Sequence, residues 1–554
     1  MFQRTLFLLL VLSSVCGLQG QNLRLDQFPQ DLQFFPRDRS TNSAEIEIAG
    51  TVLIPGFNAV EVDLLRDSIL LSTYSIPLSY TADSAEFHLS LTIPAELSSY
   101  SCQLSLVASD GSRLLKRQAS DLVAGDAFLV HGQSNAFAQG YSGTAASYES
   151  PFIRTYGRHG GQFGKNDTIW HEAWGDGSFG FQPGAIGQWA QVMANRIMVR
   201  QQVPVCVINH AVGGKQINYF SKSDTTNFGF NYSSLLARLK LAGLRRGLTA
   251  IIWYQGESDA WSSGNAFDYE GRFLQLYSDL LNDYDNPNMK RFLVCQTRPG
   301  CGGATSNHNI IAELMRRAAD ELPGVSVIST NGLDGHDGCH YTFEDGYEIL
   351  GYRVAVELLQ SVYGIRRSSS LQAPNVSDAY YLNSAQTFVA INLRDSTETL
   401  TIESGAHQDF VLKDGPDVVN VQQSGGQLIL ELLLPSSATQ LRYFNHLGSG
   451  PDIMGSRGIG LLSFSLDVAP YSAAREGRGN LSLSNNPVSD NSLGLLADQT
   501  GIISLTDLMG RTLLTAKYTQ AGQMQFIDLP ADLPNGQYLV SIPGSPARIL
   551  QLHR

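Results

Sequence analysis

The feature that most constrains the fold is a change of hydrophobic period between residues 121 and 366, where short apolar runs alternate with longer helical patterns. The predicted strands are Ala127–Val130, Val203–Asn209, Leu248–Tyr254, Arg291–Gln296 and Val325–Thr330. The predicted helices are Gly187–Arg200, Tyr232–Leu244, Tyr269–Leu281, Ile310–Leu322 and Tyr347–Val362. Strands that alternate with helices form parallel sheets, and such sheets place their sites at the carboxyl ends of the strands. We therefore expect the functional site within this region.

The regions on either side have the short, alternating runs that predict β structure. Residues 21–120 predict an N-terminal β domain, and residues 367–470 predict a β-rich accessory domain. A stretch rich in Ser, Asn, Gly and Arg at 471–482 indicates a linker, and residues 483–554 predict a further β unit. The fold class is therefore an α/β domain with a parallel sheet, flanked by β-sandwich-like domains.

The N-terminus and the overall charge bear on location and partners. Arg4 precedes an apolar run from Leu6 to Leu12, and small or polar residues follow to Gly20, which predicts a secretory signal peptide over residues 1–20. Cys16 raises a lipoprotein alternative, but Val15 is bulky where a small residue is needed. We find no other apolar stretch of about 18 residues, so we expect no transmembrane helix. The formal charge of −13 disfavours nucleic acid as a partner.

Five cysteines remain after the predicted signal peptide: Cys102, Cys206, Cys295, Cys301 and Cys339. An exported protein can keep disulfides, and an odd number leaves at least one thiol free. A bond from Cys301 to Cys295 and a bond from Cys301 to Cys339 are equally open. No C-x-x-C pair or His-rich cluster occurs, so a structural zinc site is not expected.

Two of the predicted strands run directly into glycine-containing turns. The first is followed by Gly132-Gln133-Ser134-Asn135, a turn that can expose the Ser134 hydroxyl above the sheet. The second is followed by Gly213-Gly214, where a backbone N–H can approach a ligand closely, as the stabilisation of an oxyanion requires. Either turn could also be an ordinary tight connection between a strand and a helix.

Two further polar blocks also follow predicted strands. Trp253-Tyr254-Gln255-Gly256-Glu257 supplies an amide that can donate to an oxyanion and a carboxylate, with Asp259 close behind. The last block runs from Asp334 to His340, and its Asp337 and His340 can serve as acid and base for a serine nucleophile. Asp334 and His336 offer a competing pair.

Together these four blocks resemble the SGNH/GDSL hydrolase superfamily, most closely its branch of sialate O-acetylesterases and family 6 carbohydrate esterases. The resemblance rests on the Gly-Gln-Ser-Asn block at 132–135, the Trp-x-Gln-Gly-Glu block at 253–257, and Asp337-Gly338-Cys339-His340 followed by Leu350-Gly351-Tyr352-Arg353. It covers about residues 122–359 and implies a three-layer α/β/α fold for the domain at 121–366.

The resemblance also implies the role of each residue. Ser134 is then the nucleophile, His340 the base and Asp337 its orienting acid. The oxyanion hole uses the N–H groups of Ser134 and Gly214 with the Gln255 side chain, and we assign Asn135 and Glu257 to substrate binding. The implied substrate is an O-acetylated sugar, either a sialic acid or acetylated xylan, and no cofactor or metal is implied.

The C-terminal segment resembles a type IX secretion sorting domain. Its blocks are Asn486-Pro487, Gly510-Arg511 and Gly536-Gln537-Tyr538, and they span about 75 residues from Leu483. This resemblance implies the type IX secretion machinery as a partner and a secreted or cell-surface location. A carbohydrate-binding β sandwich is the alternative.

Three other functions are open from the residues alone. Gly132–Ala136 nearly satisfies Gly-x-Ser-x-Gly, the nucleophile turn of α/β-hydrolases, although the spacing of Asp337 and His340 favours the SGNH interpretation. Glu257 with Asp259 or Asp337 could form a glycosidase pair. A glycan-binding surface protein on a degenerate hydrolase scaffold is the non-enzymatic alternative.

Overall fold

The computed structural model describes most of the chain, including the whole of the predicted catalytic sheet. The described residues are 22–157, 167–177, 183–222, 231–284, 289–365, 372–444, 446–471, 481–483, 488, 491–497, 500–507, 511–542 and 548–552. The predicted signal peptide, most of the predicted linker, Asn486-Pro487 and Gly510 lie outside these residues. No helix in the described part of the chain combines the length and apolar character needed to cross a membrane.

The chain divides into two compact units. Within the described residues, the first unit comprises 22–35, 43–94 and 98–123, and the second comprises 36–42, 95–97 and everything from 124 onward. The strand that runs from Arg113 to Gly132 passes from the first unit into the second, so its course crosses the domain boundary predicted at residue 120.

The first unit is built from antiparallel strands. In the strand Ala85–Pro94, buried and exposed residues alternate strictly, because one face of the strand packs on a core and the other faces water. All ten of its residues pair antiparallel with Ser43–Val52. The strands up to residue 132 are β1 (Leu23–Gln27), β2 (Phe34–Pro36), β3 (Ser43–Val52), β4 (Phe57–Arg66), β5 (Ile69–Pro77), β6 (Ala85–Pro94), β7 (Tyr100–Ala108) and β8 (Arg113–Gly132).

The second unit contains the predicted parallel sheet, with the strand order β10-β9-β11-β8-β12-β13-β14. Its further strands are β9 (Ile153–Tyr156), β10 (Trp170–Glu172), β11 (Val205–Asn209), β12 (Leu248–Tyr254), β13 (Arg291–Cys295) and β14 (Val325–Ile328). All neighbours pair in parallel except β10, which is antiparallel to β9. From β8 the chain first builds β9 and β11 on one side and then β12, β13 and β14 on the other. The end of β8 is therefore the point where the strand order reverses, the usual position of a site in such sheets.

Five of the six helices of this region match the predicted ones, with ends that differ by at most six residues, and the short first helix was not predicted. They are α1 (Ser134–Phe137), α2 (Gln188–Gln201), α3 (Asn231–Leu241), α4 (Ser263–Tyr284), α5 (Thr305–Glu321) and α6 (Glu348–Ser361), and a π-helical turn over Phe343–Tyr347 leads into α6. Trp189, Val192, Met193 and Ile197 of α2 are fully buried in the core of the region, as their spacing predicts.

In the described residues after α6, the regular structure of the second unit consists of β strands and one short 3-10 turn at Ala406–Asp409. The accessory region has β15 (Val376–Tyr381), β16 (Phe388–Leu393), β17 (Leu400–Ile402), β18 (Phe410–Leu412), β19 (Val418–Ser424), β20 (Gln427–Leu432), β21 (Gln440–Tyr443), β22 (Ile453–Gly455) and β23 (Phe464–Ala469). The C-terminal region has β24 (Leu481–Leu483), β25 (Ser492–Ala497), β26 (Gly501–Thr506), β27 (Thr512–Tyr518), β28 (Gln525–Asp528), β29 (Gly536–Ser541) and β30 (Arg548–Leu552). The expected mixture of an α/β region with β-rich regions is confirmed, while the three-layer arrangement stays a prediction.

Candidate active site

The turn that carries Ser134 depends on a close approach of two backbones. At the end of β8, Gly132 adopts a φ of +134°, and a Cβ placed there would lie 2.0 Å from the carbonyl oxygen of Tyr254. The N–H of Gln133 donates to that same carbonyl at 2.9 Å. Only glycine fits at Gly132, and the chain can therefore turn sharply and begin α1 at Ser134.

The Ser134 hydroxyl meets the imidazole of His340 across 206 residues of sequence. Oγ of Ser134 lies 3.0 Å from Nε2 of His340, within reach for proton transfer. The ring of Tyr141 stacks on the ring of His340, with centroids 4.6 Å apart and planes inclined by 29°. The imidazole is therefore held against the serine by a flat contact on one face.

Asp337 holds the loop that carries His340. Its Oδ1 accepts hydrogen bonds from the N–H groups of His340, at 2.7 Å, and Cys339, at 2.8 Å. Burial acts to raise the pKa of Asp337, but these N–H groups and the nearby imidazoles outweigh it, so the pKa lies below its ordinary value. Among the described residues, no hydrogen bond joins the Asp337 carboxylate to the ring of His340, so Asp337 influences His340 through the backbone of the loop and through its charge.

The protonation of His340 suits a general base. Burial lowers the pKa of His340 below its ordinary value, and the charge of Asp337 opposes part of that effect. The competing His336 is a poorer candidate, because burial and the Arg298 charge lower its pKa to about 3 and its side chain makes no hydrogen bond to Ser134. Of the two acid–base pairs in the sequence, the structure brings the one with His340 to the serine.

Two backbone N–H groups near the Ser134 hydroxyl, those of Ser134 and Gly214, are free to donate hydrogen bonds. Neither Ser134 nor Gly214 donates its N–H to any acceptor within the described part of the chain. Gly214 is exposed, with a φ of +68°, and a Cβ on the preceding Gly213 would lie 3.6 Å from Cβ of Ser134. The turn after β11 therefore lies against the serine, as an oxyanion site requires.

Gln255 has a different environment from the one that the sequence suggested. It is fully buried, and its Nε2 lies 2.5 Å from Oδ2 of Asp259, 3.1 Å from the Lys215 carbonyl and 3.2 Å from Oε1 of Gln133. All of these partners are acceptors. The amide therefore ties the turn after β8 to the turns after β11 and β12, and it does not line the cavity at Ser134.

Asn135 and Glu257 also lie beneath the cavity, outside its lining. Nδ2 of Asn135 donates to Oε1 of Glu257 at 2.7 Å and to the Cys339 carbonyl at 3.1 Å. Its Oδ1 accepts from the Tyr347 hydroxyl at 2.8 Å. Burial raises the pKa of Glu257 to about 7, although the bond from Asn135 favours its charged form. These contacts fix the base of the site, and they leave Glu257 out of reach for glycosidase chemistry in the cavity.

The cavity in front of Ser134 has a volume of about 410 Å³. Ser134, Gly214 and His340 line it together with three residues that sequence reasoning missed, Tyr141, Lys215 and Trp261. Trp261 is 55 % exposed, and its indole N–H donates to the Cys301 carbonyl at 2.7 Å, which fixes the orientation of the ring. Lys215 directly follows Gly213-Gly214 in the sequence, and this position could have indicated that it lies at the cavity.

A disulfide adjoins the imidazole of His340. Cys301 and Cys339 are bonded, with Cα atoms 4.4 Å apart, and both line the cavity. Of the two pairings that the sequence left open, the structure therefore has the one between Cys301 and Cys339. Cys102, Cys206 and Cys295 are free and buried. In the described residues, one group of three has metal-ligand spacing, formed by the two disulfide sulfurs and His340.

The accessory β region supports the loop that carries His340. We call residues 332–341 the catalytic loop and residues 446–452 the anchor loop. The N–H of Gly332 donates to Asp452 at 3.1 Å, and the N–H of His336 donates to the Ser449 hydroxyl at 3.4 Å. Buried Arg298 bridges the two loops, because it donates to the carbonyl oxygens of both Leu333 and Gly448.

The anchor loop is fixed within its own region. His446 pairs with Asp409 at 2.5 Å through Nδ1 and lies 3.2 Å from the Arg298 guanidinium through Nε2. The Arg298 guanidinium also packs over the ring of Phe444, 5.0 Å from its centroid. The catalytic loop is therefore attached to the accessory region by a buried cation whose partners lie on both sides.

Comparison with known proteins supports an esterase. Residues 124–360 match the family model described as carbohydrate esterase, sialic acid-specific acetylesterase. A search of curated proteins finds no match to this chain. The family match supports a carbohydrate esterase, a hydrolase of acetyl esters, for the α/β region.

Solved structures add evidence on the fold. A carbohydrate acetylesterase from Xanthomonas citri is 16 % identical, covers 80 % of this chain and 99 % of its own, and has a TM-score of 0.57. A protein from Arabidopsis thaliana is 19 % identical over 43 % of this chain and 98 % of its own, with a TM-score of 0.34. A family two carbohydrate esterase from Clostridium thermocellum is 12 % identical over 58 % and 93 %, with a TM-score of 0.28. The Xanthomonas structure shows that the fold is shared, and the other two likenesses are too low to add to it.

Proposed function

We propose that this protein is a serine esterase that removes O-acetyl groups from an acidic sugar, most simply a sialic acid. The observation that carries the proposal is the 3.0 Å contact between Oγ of Ser134 and Nε2 of His340 at the point where the strand order of the sheet reverses. The family match over residues 124–360 supports the same chemistry.

The mechanism follows from these positions. His340 takes the proton from Ser134 as Oγ attacks the acetyl carbonyl, and the resulting oxyanion accepts hydrogen bonds from the N–H groups of Ser134 and Gly214. His340 then gives the proton to the departing sugar hydroxyl. Water, activated by the same imidazole, hydrolyses the acetyl-enzyme. Each oxyanion donor contributes about 3 kcal/mol to the stabilisation of the transition state.

Gln255 acts in this mechanism as a positioning residue. Its Nε2 is engaged by Asp259, Lys215 and Gln133, so the amide holds the Gly214 turn and the Ser134 turn in register. The oxyanion is thus left to two backbone donors. Asn135 and Glu257 hold the floor of the site in the same way.

Lys215 favours an acidic sugar over acetylated xylan. Among the residues that line the cavity it is the one lysine, and arginine, aspartate and glutamate are absent from that lining; no described carboxylate pairs with it. Its ammonium lies 5.1 Å from the centroid of the Tyr219 ring. The carboxylate of an acidic sugar can pair with Lys215 while the sugar ring lies against Trp261, whereas an acetylated xylose unit has no carboxylate of its own to offer this cation.

A substrate panel tests both parts of the proposal. We expect wild type to release acetate from a neutral acetyl ester and, with higher kcat/KM, from O-acetylated sialic acid, and we expect Ser134→Ala to release none. Lys215→Met should lower kcat/KM for the sialic acid ester at least about tenfold more than for the neutral ester, through KM, because an ion pair in a partly desolvated site is lost.

Lys240→Met is the matched control, because Lys240 is an exposed lysine on α3 that does not line the cavity. Lys240→Met removes the same charge from the protein and should leave kcat/KM unchanged for both the sialic acid ester and the neutral ester. Equal losses on the two esters in Lys215→Met would contradict the acidic-sugar proposal and leave the esterase intact. Release of acetate by Ser134→Ala at the wild-type rate would contradict the serine mechanism.

We also propose export by the signal peptide at 1–20 and by the C-terminal type IX sorting domain. The sequence blocks quoted above support this, together with the β strands that the C-terminal region forms. Mass spectrometry of the protein recovered outside its producing cell should find a mature N-terminus near Gln21 and loss of the C-terminal domain. A chain that still begins at Met1 and ends at Arg554 would contradict the proposal.

A further inference from the structure

The disulfide beside His340 places two sulfur atoms next to an imidazole nitrogen, and these are the three ligand types of many zinc sites. Sγ of Cys301, Sγ of Cys339 and a ring nitrogen of His340 all lie within 4.8 Å of one another. The distance from Sγ of Cys339 to Nε2 of His340 is 3.5 Å. Zinc bonds of about 2.3 Å to sulfur and about 2.0 Å to nitrogen place tetrahedral ligand atoms about 3.5 to 3.8 Å apart. The sulfur-to-nitrogen distance already has this value.

The backbone keeps these residues in place independently of the disulfide. The N–H of Cys301 donates to the Gly338 carbonyl at 2.8 Å, and the Cys301 carbonyl accepts from Trp261. The N–H of Cys339 donates to Asp337, and its carbonyl accepts from Asn135. Reduction therefore leaves the two thiols facing each other, and only the sulfur atoms need to separate.

The site is also open to small reagents. Cys301, Cys339 and His340 are each partly exposed, and all three line the 410 Å³ cavity. The three other described cysteines are buried, so a reductant or a metal ion that enters the cavity meets this pair first.

We propose that reduction of the Cys301–Cys339 disulfide creates a zinc site whose third ligand is the catalytic imidazole. Two small thiols supply two electrons and two protons, become one disulfide, and leave Cys301 and Cys339 as thiols. Zinc then displaces one proton from each thiol and bonds to both sulfurs and to Nε2 of His340. Water or the Ser134 hydroxyl completes the tetrahedron.

The consequence is a redox-dependent inhibition, and this part rests on the proposed function. Nε2 is the atom that takes the proton from Ser134, and a nitrogen bonded to zinc has no lone pair for that proton. The oxidised protein has no thiolate to offer, so it lacks two of the three ligands. The esterase is therefore sensitive to zinc only in its reduced form.

Metal binding can be measured separately from activity. The full-length protein is reduced with a water-soluble phosphine and is then titrated with cadmium. The phosphine supplies the two electrons and becomes the phosphine oxide, water supplies the oxide oxygen and the two thiol protons, and no thiolate is added that could bind the metal. We expect a sulfur-to-cadmium charge-transfer band that saturates at one equivalent in the reduced protein and is absent in the oxidised protein. No band after reduction, or equal bands in both forms, would overturn the proposal even if the esterase assignment holds.

Variants locate the site. Cys301→Ser/Cys339→Ser should lose the band, whereas Cys102→Ala, which removes a buried free thiol of the first unit, should keep it. Should the double variant fail to fold, alkylation of the reduced wild type with iodoacetamide must abolish the band. A band that survives alkylation of Cys301 and Cys339 would overturn the assignment.

Activity then tests the role of His340. One equivalent of zinc should remove at least about 90 % of the acetate release by the reduced protein, because sites of cysteine and histidine bind zinc well below micromolar concentrations. A chelator should restore the rate, and the oxidised protein should keep its rate throughout. Undiminished acetate release from a reduced protein that carries one cadmium would show that His340 is not a ligand.

Discussion

Ser134 and His340 meet at 3.0 Å, but they are held by two very different parts of the molecule. Ser134 follows the central strand of a parallel sheet, and its turn is fixed by backbone contacts between β8 and β12. His340 lies on a loop outside regular structure, which is held by Asp337 and by the anchor loop of the accessory region and which carries one half of a disulfide. The proposed nucleophile is thus placed by the sheet itself, and the proposed base by tertiary contacts that converge from distant parts of the sequence.

The difference shows how the work is divided in this site. A serine at the end of a rigid strand needs little side-chain support, because the neighbouring strands on both sides hold its backbone in place. A histidine on a loop needs many weak supports, and each can be removed without unfolding the sheet. Substitutions of the residues that support the two groups should therefore have different effects. Those that support Ser134 should lower the free energy of unfolding, and those that support His340 should lower the rate of acetate release.

The largest expected effect comes from comparing His340→Ala with Asp337→Ala. Loss of His340 should lower kcat/KM for a neutral acetyl ester by about 10⁴-fold or more, as removal of the base does in serine hydrolases. Asp337→Ala should cost only about 10²-fold, because its carboxylate bonds to the backbone of the loop and not to the imidazole ring. Equal losses would show that the carboxylate bonds the ring during catalysis.

A glycine pair tests the sheet side. Gly132→Ala should lower the free energy of unfolding by about 3 kcal/mol or prevent folding, because its Cβ would lie 2.0 Å from the Tyr254 carbonyl oxygen. Gly271→Ala is the control, since Gly271 lies in α4 with nothing within 4 Å of its added Cβ. We expect it to raise stability by up to about 1 kcal/mol. Chemical denaturation followed by circular dichroism measures both, and a Gly132→Ala protein as stable as wild type would contradict the account of this turn.

The anchor loop can be tested with two arginines. Arg298→Ala should lower kcat/KM by about 10- to 100-fold with little change in KM for a small ester, because the catalytic loop loses the cation that joins it to the accessory region. Arg394→Ala removes an exposed ion pair to Asp320 that also joins the accessory region to the α/β region, at α5 and away from the catalytic loop. It should leave the rate unchanged. Equal rates for the two variants would show that the anchor loop does not position His340.

The smallest effect is on the pH profile. His340 must be neutral to accept the proton, and burial lowers its pKa below 6.5. Activity should therefore persist as the pH falls to 6.5 and be lost only below it, as the imidazole becomes protonated. A profile of kcat/KM against pH measures this directly. A midpoint above 6.5 would mean that the Asp337 charge has a larger effect on the pKa of His340 than burial has. The carboxylate would then lie closer to the imidazole ring in solution than in this structure.

The sheet side was the part that the sequence could predict. The period of apolar residues locates β12 at Leu248–Tyr254, identical to the observed strand, and places β11 and β13 within two residues. A strand end followed by glycine is a local signal, so Ser134 and Gly214 could be singled out without tertiary information. The same holds for the β-rich flanking regions.

The sequence predicted the loop that carries His340 only in part. Asp337 and His340 are close in sequence, but the anchor loop lies more than a hundred residues from them, and no local pattern connects Arg298 to Gly448. The pairing of Cys301 with Cys339 is decided by loop geometry and not by spacing. The family resemblance implied that Gln255 donates to the oxyanion, and Asn135 was assigned to substrate binding, yet the side-chain amides of both residues donate to acceptors inside the protein.

The most direct test of the central claim is covalent capture of the nucleophile. Wild type and His340→Ala are incubated with a fluorophosphonate, which reacts with a serine only when a base has activated it, and intact mass and peptide mapping locate the adduct. We predict one adduct on Ser134 in wild type and none in His340→Ala at the same time of reaction. An adduct on another residue, or equal labelling of Ser134 in both proteins, would contradict the assignment of Ser134 and His340 as nucleophile and base.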